Sequence, residues 1–406
     1  MKKLNLSLFD KDKNLFFLFF ITAFILRSVT AYYYGDRSLE NEWAILVNNL
    51  YYFNSYSLLV FDDLFVPNLW MPPIYGYFIY LHSLLIGFND YLPISVIITQ
   101  ILISSLTPIF FFKILSFFFN RNQSIIGATI FIFFPLIVYS SCQISSITIF
   151  LFLNILFFYL ILKLKKNTNL KSIILIGFIS SILILTRRDF VLIYLFSLLY
   201  SFLFFKINFK SIISILIITF IGISPYIYRN YIAFDKFIIH SGFGYNVWKA
   251  YNPKAKVEGY LFPSKELQNK IKNVKKNIHY RINEDKIYLN QALIYITEDP
   301  RKYINLYFKR LYAFYFFDLN SSQKNYYNYF HIYPIVLIAL FSLCGLIVTN
   351  KKNNKFNYLI LTLLIIVALY SFFAVLPRYK IYILPFQIIL SISFLKYLLN
   401  KLRIKN

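Results

Sequence analysis

The sequence LFFLFFITAFILRSVTAYYY, at residues 15–34, is followed directly by the polar segment GDRSLENEW, at residues 35–43. A run of about 20 predominantly apolar residues is long enough to cross the roughly 30 Å hydrocarbon core of a bilayer as one helix. A charged segment, MKKLNLSLFDKDKN, precedes the run, and no small-residue cleavage site follows it. We therefore expect an uncleaved anchor that enters the membrane from the cytoplasm and leads into an acidic outer loop.

The composition of the whole chain extends this pattern. Of 406 residues, 59% are hydrophobic, 21% are aromatic and 15% are charged, whereas soluble proteins average roughly 45–50% apolar and about 25% charged residues. We predict an all-α, multi-pass integral membrane protein of a bacterial inner membrane. The net charge of +25 fits cytoplasmic loops against anionic lipids, so we expect membrane lipids and no nucleic acid as partners. Cys142 and Cys344 lie in separate apolar runs and indicate neither a disulfide framework nor a metal site.

Nine further apolar runs bring the expected count to about ten transmembrane helices. Loops rich in Lys and Arg are expected on the cytoplasmic side. These loops contain Lys113 and Arg121; Lys163, Lys165, Lys166 and Lys171; Lys206 and Lys210; Lys351, Lys352 and Lys355; and Lys401, Arg403 and Lys405. The stretch at 72–88 is also apolar, but counting it as a crossing would reverse every later loop. We predict an interfacial or re-entrant helix there.

The loop pattern predicts three parts. Residues 1–228 form a membrane module that includes the first external loop at 35–91, residues 229–330 form an external mixed domain, and residues 331–406 form the C-terminal transmembrane helices. Within the first external loop, residues 35–71 hold five Asp and Glu against Arg37 alone, whereas 229–330 holds seventeen Lys and Arg against eight Asp and Glu. An acidic loop opposite a basic domain indicates a possible active cleft.

Two sets of polar residues in these loops are candidates for chemistry. Glu40 and Glu42 belong to the chain's scarce acids, although both could simply be solvated loop residues. Cations occur at three points of the predicted outer side, although Lys and Arg usually collect on the cytoplasmic side. They indicate an anionic ligand such as a lipid phosphate or pyrophosphate. Alternatively, one arginine of the pair Arg187 and Arg188 reaches the lipid head groups. These cations are Arg187 and Arg188, Arg229 beside Asn230, and Arg378 beside Lys380.

A glycine-containing turn at residues 241–253 carries Tyr245, Asn246 and Trp248. Glycine is scarce in this chain, and a turn that combines it with aromatic and amide side chains can hold a sugar or a phosphate. The turn could equally be a structural loop that fixes the external domain onto the membrane helices. The four histidines are too scattered for a zinc site.

Taken in order along the chain, these motifs resemble the glycosyltransferase C superfamily, in the bacterial branch similar to protein O-mannosyltransferases and the lipid A aminoarabinose transferase. The segments that carry the resemblance are Glu40-Asn41-Glu42, Pro72-Pro73-Ile74-Tyr75, Arg187-Arg188, Pro225-Tyr226-Ile227-Tyr228-Arg229-Asn230-Tyr231, Gly244-Tyr245-Asn246-Val247-Trp248, Asn252-Pro253, and Pro377-Arg378-Tyr379 with Pro385.

The resemblance implies a membrane enzyme that takes a sugar from a polyprenyl-phosphate donor at the outer face and passes it to a lipid, glycan or protein acceptor. It implies that Glu40 or Glu42 is the base or the contact of a divalent metal ion, with Asp36 in reserve, and that Arg187, Arg188, Arg229 and Arg378 are candidates for the lipid phosphate. Relatives often carry a second acid in the turn at 140–146, where this chain has Gln143 as a possible polar stand-in. Alternatives from other classes are a flippase or transporter of lipid-linked glycans and a glycan polymerase or ligase.

Overall fold

The computed structural model describes residues 12–166, 168–349 and 353–403. The cytoplasmic loop residues Lys351, Lys352 and Lys405 and the N-terminal residues 1–11 lie outside these ranges. The helices, numbered here along the chain, are Lys13–Tyr34 (α1), Asn41–Phe53 (α2), Pro73–Ile86 (α3), Leu92–Leu115 (α4), Arg121–Phe133 (α5), Pro135–Ser141 (α6), Ile147–Lys163 (α7), Leu170–Thr186 (α8), Phe190–Leu203 (α9), Phe209–Phe234 (α10), Phe243–Tyr251 (α11), Lys265–Lys272 (α12), Tyr280–Glu298 (α13), Pro300–Tyr315 (α14), Tyr329–Val348 (α15), Asn354–Ser371 (α16) and Leu384–Arg403 (α17). A short 3₁₀ helix spans Pro377–Tyr382.

A helix forms at each of the ten apolar runs, with α5 and α6 sharing one of them. Among the described residues, five helices are long and apolar enough to cross a membrane, namely α1, α4, α10, α15 and α16. The pair α5 and α6 is bent by 52° and would count as a sixth; Pro135 begins α6, where the missing N–H of proline interrupts the helical ladder. The structure therefore agrees with an integral membrane protein rich in apolar helices, and the full count of ten crossings stays a prediction.

The first external loop folds into two short helices and a hairpin. Strands Ser57–Phe61 (β1) and Leu64–Pro67 (β2) pair antiparallel. The two-residue turn between them is Asp62 and Asp63, both with positive φ (45° and 67°), as hairpin turns of this length favour. Two of the five acids at 35–71 thus have a local structural role.

Helix α3 occupies the apolar stretch at 72–88. Its fourteen residues extend about 21 Å, which is short of the hydrocarbon thickness. It packs through Tyr75 and Ile79 against Val47 of α2 and Val96 of α4. This length is compatible with the interfacial or re-entrant helix that the sequence predicts.

Residues 229–330, which the sequence predicts to be external and which we call the external region, differ from the prediction of a mixed domain. Four helices, α11 to α14, lie within it, and the structure describes a two-stranded sheet only in the first external loop. Its core is aromatic and includes Trp248, Tyr251, Tyr288 and Tyr303. The alternation expected of a strand is absent here, and the apolar residues recur at helical spacing instead.

Candidate functional site

The carboxylate of Asp36 lies just beyond the end of α1, where the chain meets the turn between α6 and α7. The Asp36 N–H donates to the Cys142 carbonyl at 3.2 Å, and its Oδ2 accepts from the Ile144 N–H at 2.7 Å. The Gln143 side chain donates to the Tyr34 carbonyl at 2.9 Å. Gln143 therefore holds the turn onto the end of α1, and a backbone N–H orients the acid.

Two tyrosines connect Asp36 to the rest of the site. The charge of Asp36 acts on the hydroxyls of Tyr139 and Tyr326, and the charge of Arg378 acts on Tyr326 as well. Burial and the nearby charge of Glu40 raise the pKa of Asp36 against the lowering effect of the Ile144 N–H. Asp36 is thus a half-buried acid with a raised pKa, which is a property expected of a general base.

The other two predicted acids are more exposed. Glu40 precedes the first turn of α2 and accepts from the Ser38 hydroxyl at 3.3 Å. Glu42 lies in that first turn, and its charge acts on the Tyr245 hydroxyl of the external region. The three acids therefore divide: Glu40 lies toward Asp36, whereas Glu42 lies toward the external region.

Three cations lie near Tyr379 on the 3₁₀ helix, namely Arg378, Arg187 and Lys249. We call these three residues the cation cluster. The guanidinium carbons of Arg187 and Arg378 lie 4.8 Å and 5.7 Å from the centroid of the Tyr379 ring. Burial alone would raise the pKa of Tyr379, but the charges of Arg378, Arg187 and Lys249 outweigh burial and lower it. This is a strongly positive environment.

Arg187 differs from the other two members because its charge is already neutralised. Its Nε and Nη2 each donate to Asp189 at 3.3 Å, and its Nη1 donates to the Tyr382 hydroxyl at 2.7 Å. The rings of Tyr379, Tyr382 and Tyr370 surround the guanidinium. Arg187 lowers the pKa of Asp189 against the effect of burial, so the two residues form a partly buried ion pair that supports the site.

Arg378 and Lys249 carry the surplus positive charge. In the described ranges, Arg378 lies in no ion pair. Burial and the neighbouring charge of Arg378 lower the pKa of Lys249, while Tyr379 and Glu258 act in the opposite direction. The carboxylate of Glu258 accepts from Ser321 and Ser322. Two cations held close together form a site that a phosphate would stabilise.

Arg188, the second arginine of the pair at 187–188, hydrogen bonds to a histidine. Its Nη1 lies 2.9 Å from His240 Nδ1, and because a guanidinium can only donate, Nδ1 must accept. A backbone group of Trp70 also hydrogen bonds to the ring. Burial, reinforced by the Arg188 charge, lowers the pKa of His240 to about 3. His240 is therefore neutral and joins Arg188 to the first external loop.

This neutral histidine predicts a loss of stability in mild acid. In the unfolded chain His240 takes up a proton near pH 6.5, whereas in the folded chain it resists protonation until about pH 3. The free energy of unfolding should therefore fall, by up to about 1.4 kcal/mol per pH unit, as the pH is lowered through this window. Unfolding temperatures measured in detergent between pH 4 and 8 would show this, and His240→Asn should flatten the slope by one proton. Equal slopes in both proteins would contradict the assignment.

Arg229 holds the first external loop in place. Its Nη1 donates to the Asn68 carbonyl at 3.1 Å and to the Asn230 side chain at 2.8 Å, and its Nη2 donates to the Tyr56 carbonyl at 3.4 Å. Asn230 is fully buried and donates to the Ile238 carbonyl. Tyr56 and Asn68 flank the hairpin, so these contacts fix the hairpin onto α10.

The glycine-containing turn forms the start of α11. Gly242, with φ of 95°, precedes the helix, and the Asn246 side chain donates to the Gly242 carbonyl at 2.8 Å. Trp248 is buried in the core of the external region. Tyr245 contacts the first external loop, through an edge contact with the Trp70 ring at 5.0 Å.

Several residues that the sequence did not single out lie at the centre of the site: Lys249, His240, Tyr326 and Tyr379. Lys249 and Tyr379 stand beside residues that were selected, and so carried a weak signal. The proximity of Tyr326 to Asp36 arises only from the tertiary fold. In the described part of the chain, no group of three or more His, Cys, Asp or Glu side chains comes together as a metal centre.

Part of the sequence matches a known protein family. Residues 70–228 match the family described as dolichyl-phosphate-mannose-protein mannosyltransferase. This segment contains Arg187 and Arg188 and ends before Arg229. No protein with a curated description matches the sequence.

Solved structures of an archaeal enzyme share the fold. The Archaeoglobus fulgidus oligosaccharyltransferase tethered to an acceptor peptide containing the NVT sequon is 12% identical, with a TM-score of 0.54 over 98% of this chain and 51% of that chain. The same enzyme in complex with Zn and sulfate is 13% identical, with a TM-score of 0.53 over 96% and 49%. ArnT from Cupriavidus metallidurans bound to undecaprenyl phosphate is 10% identical, with a TM-score of 0.42 over 93% and 77%.

The present chain spans about half the length of the archaeal enzyme. The family match over residues 70–228 and the fold shared with the archaeal oligosaccharyltransferase agree with the resemblance that the sequence motifs carry.

Proposed function

We propose that this chain, which has the fold of the glycosyltransferase C superfamily, is an inner-membrane glycosyltransferase that takes a sugar from a polyprenyl-phosphate donor at the outer face. The acceptor is a lipid, a glycan or a protein. The family that matches residues 70–228 is described by a lipid-phosphate sugar, dolichyl-phosphate mannose. This is a property of that family and motivates the choice of donor for the present chain.

The observation that carries the proposal is the position of the two unneutralised cations, Arg378 and Lys249, relative to Asp36. Tyr326 lies near both Arg378 and Asp36, and Lys249 lies near Arg378. A donor phosphate beside the two cations would place its sugar on the side of Tyr326 where the acid lies. Arginine and lysine held in place before binding stabilise developing negative charge without further reorganisation. A lipid-borne donor also needs no nucleotide-binding motif, and none is present in the sequence.

The chemical step that this arrangement supports is an inverting displacement. The acceptor hydroxyl oxygen forms a bond to the anomeric carbon while the bond from that carbon to the phosphate oxygen breaks. The hydroxyl proton passes to the carboxylate of Asp36 or, as the sequence triplet predicts, of Glu40 or Glu42. The polyprenyl phosphate leaves with the electron pair, and its charge is stabilised by Arg378 and Lys249.

Two residues of the same site, Asp36 and Glu40, are suited to hold a divalent metal ion. Mg²⁺ commonly binds one or two carboxylates together with substrate phosphate oxygens and water, and the charges of Asp36 and Glu40 act on each other. These two acids would hold the ion, which would supply further positive charge for the phosphate. Titration of activity with Mg²⁺ or Mn²⁺ after treatment with EDTA tests this point.

The test is turnover of a defined lipid donor by the purified protein in nanodiscs. A panel of undecaprenyl-phosphate sugars is incubated with membrane lipid, glycan and peptide acceptors, and the products are separated by mass spectrometry. We expect release of undecaprenyl phosphate and addition of one sugar to one acceptor class, both abolished by Asp36→Asn. Movement of an intact donor between leaflets would instead support a flippase, and transfer of whole oligosaccharides would support a polymerase or ligase. Either result would overturn the proposal.

A further inference from the structure

We propose that Arg310 and Lys380 are positioning residues that hold Lys249 and Arg378 at a fixed separation, with helix α14 as the brace between them. The inference rests on the proposed function in one respect, since the site that the brace serves is the lipid-phosphate site. Neither Arg310 nor Lys380 contacts the cleft: their exposed fractions are 0% and 1%. Each hydrogen bonds to main-chain carbonyls.

The first arm of the brace is Arg310, on the last turn but one of α14. Its Nε donates to the Val257 carbonyl at 3.3 Å, and its Nη2 donates to the Lys256 carbonyl at 3.1 Å and to the Ala250 carbonyl. Ala250 follows Lys249 directly and lies in the last turn of α11, where carbonyls lack partners within the helix. The buried Arg310 guanidinium therefore fixes the end of α11 to the segment that contains Lys256 and Val257.

The second arm lies one turn further along α14. The Phe314 carbonyl accepts from Lys380 Nζ at 2.7 Å, and the Tyr315 carbonyl accepts from the Gln387 side chain at 3.0 Å. These carbonyls end α14, where they lack partners within the helix, and the two side chains supply the missing hydrogen-bond donors. Lys380 is two residues from Arg378 on the same 3₁₀ helix. Its anchor on α14 therefore restrains the backbone that carries Arg378.

A main-chain acceptor also links the first arm to the segment just before the 3₁₀ helix. The Val257 carbonyl accepts from Arg310 and also from the Val375 N–H at 3.0 Å, just before the 3₁₀ helix. The Tyr260 N–H donates to the Lys249 carbonyl at 2.9 Å. The segments that carry Lys249 and Arg378 are thus tied to α14 and to each other by main-chain hydrogen bonds.

Such a brace has a physical purpose at a phosphate site. Lys249 and Arg378 repel each other in the absence of a ligand, and a flexible pair would move apart. Holding them together while the protein folds removes that cost from the binding step, which increases affinity. Lys380→Met and Arg310→Lys should each release one arm while leaving Lys249 and Arg378 unchanged.

The experiment compares these two variants with Arg27→Lys. Arg27 is also fully buried and hydrogen bonds to Ser104 and to the Ala23 carbonyl, but it lies in α1. We expect Lys380→Met and Arg310→Lys to raise the Kd of undecaprenyl phosphate about tenfold in nanodiscs, with kcat at saturating donor nearly unchanged. Arg27→Lys should lower the unfolding temperature to a similar extent and leave the Kd unchanged. Wild-type affinity in both brace variants, or an equal loss in Arg27→Lys, would overturn the inference.

Hydrogen–deuterium exchange separates this inference from the proposed function. The amides of Tyr260 and Val375 should lose protection in Arg310→Lys without any lipid present, because both belong to the network that Arg310 joins. If wild-type protein fails to bind undecaprenyl phosphate, the proposed function fails while the exchange result still decides whether the brace exists. Unchanged protection of these amides in Arg310→Lys would show that Arg310 does not hold the two segments together, which would overturn the inference.

Discussion

Asp36→Asn is expected to lower kcat by about 10³-fold while the protein stays folded. A general base in the transition state contributes typically 10²- to 10⁴-fold, and an amide cannot accept the acceptor hydroxyl's proton. The amide oxygen of the variant side chain could still accept from the Ile144 N–H that now binds Oδ2, so the turn at 142–146 should keep its place. Single-turnover rates with a labelled donor, together with the unfolding temperature, measure the two effects separately.

The matched controls for this prediction are Glu40→Gln and Glu42→Gln. Burial and the charge of Glu40 raise the pKa of Asp36, so activity should decline with falling pH at a higher pH than an ordinary carboxylate would give. Glu40→Gln removes one of these influences and should shift that decline to lower pH with a smaller loss in kcat. If Glu40→Gln abolishes turnover and Asp36→Asn retains it, the base is Glu40, as the sequence triplet predicts.

Combined replacement of Arg378 and Lys249 by Gln should weaken undecaprenyl phosphate binding by about 100-fold or more, taking about tenfold or more for each lost charge-assisted contact. Each single replacement should reduce affinity less and should also reduce its dependence on salt, because fewer charges remain to be screened. Binding isotherms in nanodiscs at two salt concentrations measure both quantities.

Lys309→Gln removes one positive charge and is therefore the control for each single replacement. Lys309 lies on α14 and is exposed, so its loss should leave the affinity nearly unchanged. Arg187→Gln should behave differently from both, because it would leave the partly buried Asp189 without its partner and lower stability by up to about 3 kcal/mol. Wild-type affinity in the double variant would place the phosphate elsewhere.

The sequence predicted the helices well and the roles of the arginines less well. A run such as 15–34 determines its own structure, because only a helix satisfies every backbone group of an apolar segment in a bilayer. The unusual position of cations on the outer side directed attention to Arg187, Arg188, Arg229 and Arg378. Their partners, however, depend on the tertiary fold: Arg188 meets a histidine 52 residues away, and Arg229 meets a carbonyl 161 residues away.

The acids illustrate the same limit. The sequence placed Glu40 and Glu42 first and Asp36 in reserve, although all three follow α1 within a few residues. The contact of Asp36 with Ile144, 108 residues later, distinguishes it, and no local pattern announces that contact. The prediction of a mixed domain also differs from the structure, which has four helices between α10 and α15 in the described part of the chain.

The short helices α8 and α9 have a consequence for the surrounding lipid. They contain 17 and 14 residues, or about 26 Å and 21 Å of helix, and Arg187 lies between them. If both helices cross the bilayer, as the sequence predicts, thinning of the bilayer at this corner would match its hydrocarbon to their length. Head groups would then lie closer to the bilayer centre than elsewhere, and a lipid phosphate would have a shorter distance to travel to reach the arginines.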